Sequence, residues 1–323
     1  MESLIKRAYS AVARRWKYRF RPSRYKAFLG LCEGRGAPQL DYFPEQRAIV
    51  DEVLRLRAKA PPPGRGQAVD AISVVIPHYN QQRYLGAAIE SVRNQSFAAA
   101  EVVVVDDLSD DIEAVRAVEG TFRSDPRVRF VYSSRKLYAG GARQLGLEST
   151  SGDAVSFLDA DDLMHPQRLE HSKAVLDRRP DCAFVVTGAL PFSGSAPSVG
   201  PFSAGEAEAA LIGPRRLTES LARYFALMRL SWVDRRTKTV PWYAWGSFGL
   251  HAKYQASSGT LTARRDRVAA MTWPTPKAFI FTPYEDFEYC LLLHAATAGG
   301  YQIDLPLVYY RKGSSSNAPS ELV

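Results

Sequence analysis

Apolar and polar positions along this chain fall into blocks of two different periods. Four short runs are apolar at nearly every position: Ile72–Pro77, Glu101–Val105, Val128–Tyr132 and Ala154–Leu158. Strands buried on both faces of a parallel sheet carry this signature. Between them lie stretches with a helical stripe. The clearest is Gln82–Asn94, with Leu85, Ala88, Ile89 and Val92 on one face; Asp111–Thr121 and Gly141–Ser149 follow. Strand and helix in alternation predict an α/β fold. Its central sheet is Rossmann-like, mostly parallel and flanked by helices, with any ligand at the carboxyl ends of the strands.

The pattern changes on either side of this region. Near the start, Ile5, Tyr9, Val12, Trp16 and Phe20 recur at three-to-four spacing and predict a helix. A second helix is expected over Pro44–Lys59, with Ile49, Val50, Val53, Leu54 and Leu56 inward, before Pro61–Gly66 breaks the chain as a linker. After residue 190 the pattern is less regular. Ser193–Gly205 reads as a loop, Leu217–Leu230 and Phe287–Ala296 as helices, and Leu307–Tyr310 as a last strand. An aromatic and basic stretch runs from Trp232 to Phe248. Three zones result: residues 1–70, 71–190 and 191–323. No internal repeat is visible.

Composition adds limits. The 323 residues are 46% hydrophobic and 24% charged, an ordinary globular balance. The 42 Lys and Arg against 34 Asp and Glu give a net charge of +8, suited to nucleotide diphosphates, anionic lipid head groups or nucleic acid. Much of the excess sits in residues 1–26, at Lys6, Arg7, Arg14, Arg15, Lys17, Arg19, Arg21, Arg24 and Lys26. Such a helix fits either an anionic membrane surface or docking onto the rest of the chain. No recognised nucleic-acid module appears, so nucleic acid is not an expected partner. Cys32, Cys182 and Cys290 lack zinc or CxxC spacing, and their odd count argues against a disulfide framework. With no apolar run near the ~20 residues of a membrane span, the expectation is a cytoplasmic protein, soluble or peripheral at the inner face of the membrane.

Three acidic sites stand where such a sheet binds its ligand: Asp106-Asp107, Asp159-Ala160-Asp161-Asp162 and Glu285-Asp286. Carboxylates after apolar strands are costly to bury and should face a cleft. Paired carboxylates hold Mg²⁺ or Mn²⁺ through hard oxygens, with substrate phosphates completing the shell. The bland alternative for each is a helix cap or a solvated turn. Walker-type, GxGxxG, HExxH and GxSxG motifs are missing.

These segments resemble the motifs of inverting family 2 glycosyltransferases of the GT-A fold. Ser73–Asn80 looks like their opening strand, and Val105–Asp111 resembles "VDDGSxD". Gly140–Gly146 resembles "GxxxARNxG" with Gln144 replacing Asn, Phe157–Asp162 matches "FLDADD", and Glu285–Glu288 resembles "EDxD/E". The resemblance is strong over residues 71–170 and patchy over 255–316. It implies a nucleotide-sugar-binding half at 71–190 and an acceptor-binding half at 191–323, beside a basic helical extension at 1–70. The activity implied is sugar transfer from a nucleotide-sugar, UDP-linked, to a glycan or lipid-linked acceptor, with a divalent metal, Mn²⁺ or Mg²⁺. A non-catalytic GT-A binding module is the alternative.

By the same resemblance Pro77, Tyr79, Asn80 and Asp107 hold base and ribose. Arg143 lies near the diphosphate. Asp159, Ala160 and Asp161 form the metal-and-ribose motif, with Asp161 the more direct ligand. Asp286 is the general base, and Glu285 is its neighbour. One departure stands out: the family's "YRxHxxS" segment is Tyr310–Ser316 here, with Gly313 at the His position, so that Arg311 or Lys312 is left to meet the diphosphate. His78 is expected behind the site rather than in it. Trp242, Tyr243 and Trp245 read as core or as a stacking surface for an acceptor sugar.

Overall fold

The first strand, β1 (Ile72–His78), is buried at all seven positions, as a strand covered on both faces must be. It is the axis of the computed structural model, which describes residues 22–35, 44–59, 67–227, 258–273, 285–297 and 299–313. β2 (Glu101–Asp106) and β4 (Ala154–Phe157) flank β1 in parallel, and β3 (Val128–Tyr132) extends the sheet beyond β2. Register sets Pro77 beside Val105 and His78 beside Asp106, so the ends of β1 and β2 are level.

Three helices make the crossovers: α3 (Gln82–Arg93), α4 (Ile112–Phe122) and α5 (Tyr138–Glu148). The stripe of α3 is buried as its spacing predicts. Asp111 caps α4 by accepting a hydrogen bond from the Ala114 N–H. α5 begins three residues before the expected Gly141 and packs closely on the sheet. A Cβ on Gly146 would stand 2.3 Å from Val75 Cγ1, so only glycine fits there.

Beyond β4 the sheet is mixed: the parallel expectation holds for the first four strands and again for one later pair, and the other neighbours are antiparallel. The strand order is β3-β2-β1-β4-β8-β6-β9-β5, with β7 on β9. β6 (Phe184–Phe192) and β9 (Gly300–Arg311) pair in parallel. β8 (Leu261–Arg264) is antiparallel to β4 and β6, while β5 (Leu163–Met164) and β7 (Leu211–Ile212) run antiparallel to β9. The expected strand Leu307–Tyr310 is the end of the longer β9. α6 (Arg168–Arg178), the short α7 (Ala204–Ala209), α8 (Pro214–Leu227) and α9 (Arg265–Val268) complete this half with α10 (Glu285–Thr297). α10 starts two residues earlier than expected, so Glu285-Asp286 form its first turn rather than precede it.

Helices α1 (Pro22–Cys32) and α2 (Pro44–Lys59) join the core instead of standing apart from it. Phe28, Leu31, Ile49, Val53 and Leu56 share one buried cluster with Tyr289 and Leu293 of α10. Leu54, expected inward, is 43% exposed, because the buried stripe of α2 passes through positions 49, 50, 53 and 56. Arg57 fastens the group. Its guanidinium donates to Cys32 O at 2.7 Å, ending α1, and to Ala295 O at 2.7 Å and Ala296 O at 3.3 Å, ending α10. The cysteines are buried thiols. Among the described residues no helix is long and apolar enough to cross a membrane. The stripe from Ile5 to Phe20, the 61–66 linker, the 232–248 stretch and Ser314–Ser316 lie outside the described residues.

Candidate functional site

The carboxyl ends of β1, β2 and β4 lie side by side, with one cluster of side chains at β1 and β2 and an acidic turn after β4. The first is built on buried polar groups. His78 Nδ1 lies 2.8 Å from Asp106 Oδ1, and Ser109 gives its hydroxyl to the same oxygen at 2.6 Å. The Gln81 N–H donates to His78 Nε2, so the imidazole proton is on Nδ1 and points to Asp106. Burial pushes the Asp106 carboxyl up, but hydrogen bonds from His78 and Ser109 outweigh it and keep the group ionised below its ordinary range. His78 therefore stands behind the site.

Asp107 is buried and works partly as a cap. Its carboxylate accepts the N–H groups of Leu137 at 2.6 Å and Tyr138 at 2.8 Å, where α5 begins, and Lys136 Nζ is 3.2 Å away. The Lys136 ammonium also overlies the Tyr79 ring. Around this carboxylate sit all three non-glycine residues with left-handed backbone among the described residues: Asn80 (φ 53), Leu108 (φ 57) and Tyr138 (φ 61). Such conformations cost of order 1–3 kcal/mol each and gather at functional sites. Asn80 is fixed by a cross-link: its side chain donates to Asp110 Oδ2 and accepts from the Asp110 N–H. Leu108 and Tyr138 are exposed, at 44% and 52%.

The acidic turn follows β4. Asp159 pairs with Arg143 of α5 at 2.7 Å, and the Arg143 side chain is almost wholly buried. Ala160 is buried, and Asp161 Oδ2 accepts from Gln81 Nε2 at 3.0 Å. Asp162 turns inward. Burial, then the charges of Asp159 and Asp161, push its carboxyl up to about 9 despite the Arg311 N–H at 2.8 Å. It is therefore the protonated member of the turn. Gly259 closes one side: a Cβ there would come 3.3 Å from Asp159 Oδ2.

Arg311 is drawn to this turn from β9. Its Nε donates to Asp161 O at 2.9 Å, and its guanidinium lies 4.6 Å from the Tyr84 ring centre and 4.5 Å from that of Phe192. Gly313 has φ 80, a backbone shape that accounts for glycine where the family pattern has His. Sequence reasoning missed Arg168. It is fully buried on α6 and donates to Phe157 O at 3.0 Å and Leu261 O at 3.2 Å. Burial lowers its pKa to about 9, against the pull of Asp159 and Asp162, so it remains a cation under the turn. An Arg in sequence normally reads as solvent-facing, and nothing in its local spacing singles out this one. His165 is core, packed on Phe202 and Tyr309.

Glu285 and Asp286 are described by backbone alone, as the first turn of α10; their side chains lie outside the described residues. Their helix reaches the site through Tyr289, which stacks on Trp273 beneath Arg143. Among the described residues no three His, Cys, Asp or Glu side chains form a metal cage. The donor set still fits a hard divalent cation bound in part by substrate. Asp161 meets a neutral amide at Oδ2, and one or two carboxylates with phosphate oxygens are the usual Mg²⁺ arrangement.

Residues 73–194 match the family described as Glycosyl transferase family 2. The chain is 35% identical over 109 residues to the amylovoran biosynthesis glycosyltransferase AmsB of Erwinia amylovora, covering 33% of this chain and 36% of that protein. It is 34% identical over 99 residues to WfgD of Escherichia coli, covering 31% of this chain and 38% of that protein. WfgD is named a UDP-Glc:alpha-D-GlcNAc-diphosphoundecaprenol beta-1,3-glucosyltransferase. The chain thus spans under half the length of these curated relatives. In fold it resembles S. aureus TarS 1-349 in complex with UDP, with TM-score 0.50 and 18% identity over 75% of this chain and 60% of that one.

Proposed function

We propose that this chain, whose residues 73–194 belong to glycosyl transferase family 2, transfers a sugar from a UDP-sugar to a hydroxyl of a glycan or lipid-linked acceptor, inverting the anomeric carbon. The observation that carries the reading is the acidic turn Asp159–Asp162 at the end of β4. Its Asp159 pairs with Arg143, its Asp161 accepts from Gln81, and it follows the strand beside β1, on whose other side β2 leads to Asp107 and its left-handed neighbours. The names of AmsB and WfgD support a polysaccharide or a diphosphoundecaprenol-linked acceptor.

In this reading the donor is held by residues 71–190 and the acceptor by 191–323. Pro77, Tyr79, Asn80 and Asp107 hold base and ribose. Asp159, Ala160 and Asp161 receive the diphosphate end, with Arg143 and Arg311 supplying positive charge. Mn²⁺ or Mg²⁺ at Asp161 and Asp159 would neutralise the charge growing on the leaving diphosphate. Asp286, with Glu285 beside it, takes the proton of the acceptor hydroxyl. The acceptor oxygen bonds the anomeric carbon as the bond to the diphosphate breaks, and a single displacement inverts the centre. The cations of residues 1–26 suit an anionic membrane surface bearing a lipid-linked acceptor, although Arg24 is buried in α1 and not available for it.

The test is Mn²⁺-dependent turnover of a panel of UDP-sugars by the full chain. Asp161→Asn and Asp286→Asn are each expected to lower turnover by at least about 10²-fold. Near-native transfer by Asp286→Asn removes the base assignment. Absence of Mn²⁺-dependent UDP binding in calorimetry removes the donor assignment.

A further inference from the structure

Trp273 touches three elements that the sequence keeps far apart. Its backbone N–H donates to Gln144 Oε1 on α5 at 3.1 Å, and Phe157 of β4 meets its ring edge-on at 5.2 Å. Its face stacks on Tyr289 of α10 at 3.7 Å with the planes 3° apart. The Arg143 guanidinium overlies the indole at 5.3 Å from the ring centre. That guanidinium is the one that pairs with Asp159. A continuous path thus runs Tyr289, Trp273, Arg143, Asp159, from the helix of Glu285-Asp286 to the acidic turn.

Two features of this stack go against stability alone. Trp273 and Tyr289 are fully buried, yet neither Trp273 Nε1 nor Tyr289 OH has a hydrogen-bond partner. Two phenylalanines would fill such space without stranding polar atoms, whose burial is costly. Rings also avoid near-parallel face-to-face stacking, because like quadrupoles repel. A cation over the outer face changes that balance, since it draws electron density away from the inner contact. Indole is the side chain that binds a cation best in this way.

We infer that Trp273, backed by Tyr289, is a positioning residue for Arg143, holding its guanidinium on Asp159 and tying α10 to the diphosphate end of the site. Gln144, which stands where the family pattern has Asn, belongs to the same device because it anchors the Trp273 backbone. The inference rests on the nucleotide-sugar reading above.

The test is a double-mutant cycle on the full chain, with UDP affinity measured by calorimetry in saturating Mn²⁺. Trp273→Leu is expected to weaken UDP binding roughly three- to thirtyfold, the range a desolvated cation–π contact spans. In an Arg143→Met background the same substitution should change affinity less than about twofold, because the group it acts through is gone. Trp273→Phe, which keeps an aromatic face, should recover most of the loss, and Trp273→Met, which keeps bulk without a ring, replaces Trp273→Leu in the cycle if that variant does not fold. Equal losses in both backgrounds overturn the inference and leave the nucleotide-sugar reading intact. Failure of the native chain to bind UDP overturns both.

Discussion

His294 gives the cleanest quantitative test of this structure. It is wholly buried on α10, with the edge of Phe184 beside it. The Thr218 hydroxyl donates to Pro214 O at 2.8 Å, so its oxygen must accept from His294 Nε2–H at 2.7 Å. Nδ1 is then the bare nitrogen, and it has no donor facing it. Protonating Nδ1 would put a charge into an apolar core, and burial pushes the imidazole from its ordinary 6.5 down to about 3. The unfolded chain binds this proton near pH 6.5 and the folded chain does not, so the folded state loses stability as pH falls below 6.5 toward 3. Between pH 7 and pH 5, linkage with these two values removes ~2 kcal/mol. Urea unfolding at the two pH values measures the loss. Other titrating groups cancel against His294→Gln, which keeps a donor for Thr218 and does not titrate. The variant should lose ~2 kcal/mol less than the native chain over that interval. Equal losses would mean that His294 is charged or hydrated in the folded state, and the argument from burial would fail.

Two further substitutions probe how the site is braced. Arg57→Ala removes two strong charge-assisted hydrogen bonds and one longer one from the ends of α1 and α10, and should cost ~3 kcal/mol in urea unfolding. Arg57→Lys should recover less than half, since one ammonium cannot span the carbonyls of two helices; full recovery by lysine would contradict the fork geometry. Gly146→Ala gains about 1 kcal/mol of helix propensity but sets a methyl 2.3 Å from Val75 Cγ1 on a rigid strand, so net destabilisation of at least ~1 kcal/mol is expected. A more stable variant would show that α5 can move off the sheet.

The first half of the sheet is legible in the sequence because β1, β2 and β4 are buried on both faces and run into polar residues at or just past their ends, at His78, Asp106 and Asp159. Such strands show as apolar runs with abrupt polar ends, and their bounds fall within a residue of those expected. The second half hides for the opposite reason. β8 has four residues, two of them Thr262 and Arg264, and its polar atoms are satisfied only by distant partners such as Ser156 and Cys182 O. Pairing across that distance leaves no local period to read. The acidic turn was visible as a motif, but the division of labour inside it was not. Asp162 differs from Asp159 and Asp161 only by facing inward, which no spacing reveals. Arg57, Arg168 and Arg264 were unreadable for one shared reason: each guanidinium binds main-chain carbonyls that tertiary structure brings to it.

The same physics explains why α1 and α2, outside the 73–194 family match, belong to the working unit. α10 carries Glu285-Asp286 at its start, yet its far end is apolar around most of its girth and cannot face water. α1 and α2 cover it with Phe28, Leu31, Ile49 and Val53, Arg57 closes its last carbonyls, and Thr218 of α8 satisfies His294. Trp273 grips its first turns through Tyr289 and passes that hold to Arg143. A helix fixed at both ends cannot tilt without breaking either a charged cap or a buried stack. In the proposed reaction the proton acceptor and the diphosphate site lie on opposite sides of the sugar, and their relative placement sets the rate. In that reading α1 and α2 act on the reaction through the rigidity they give α10.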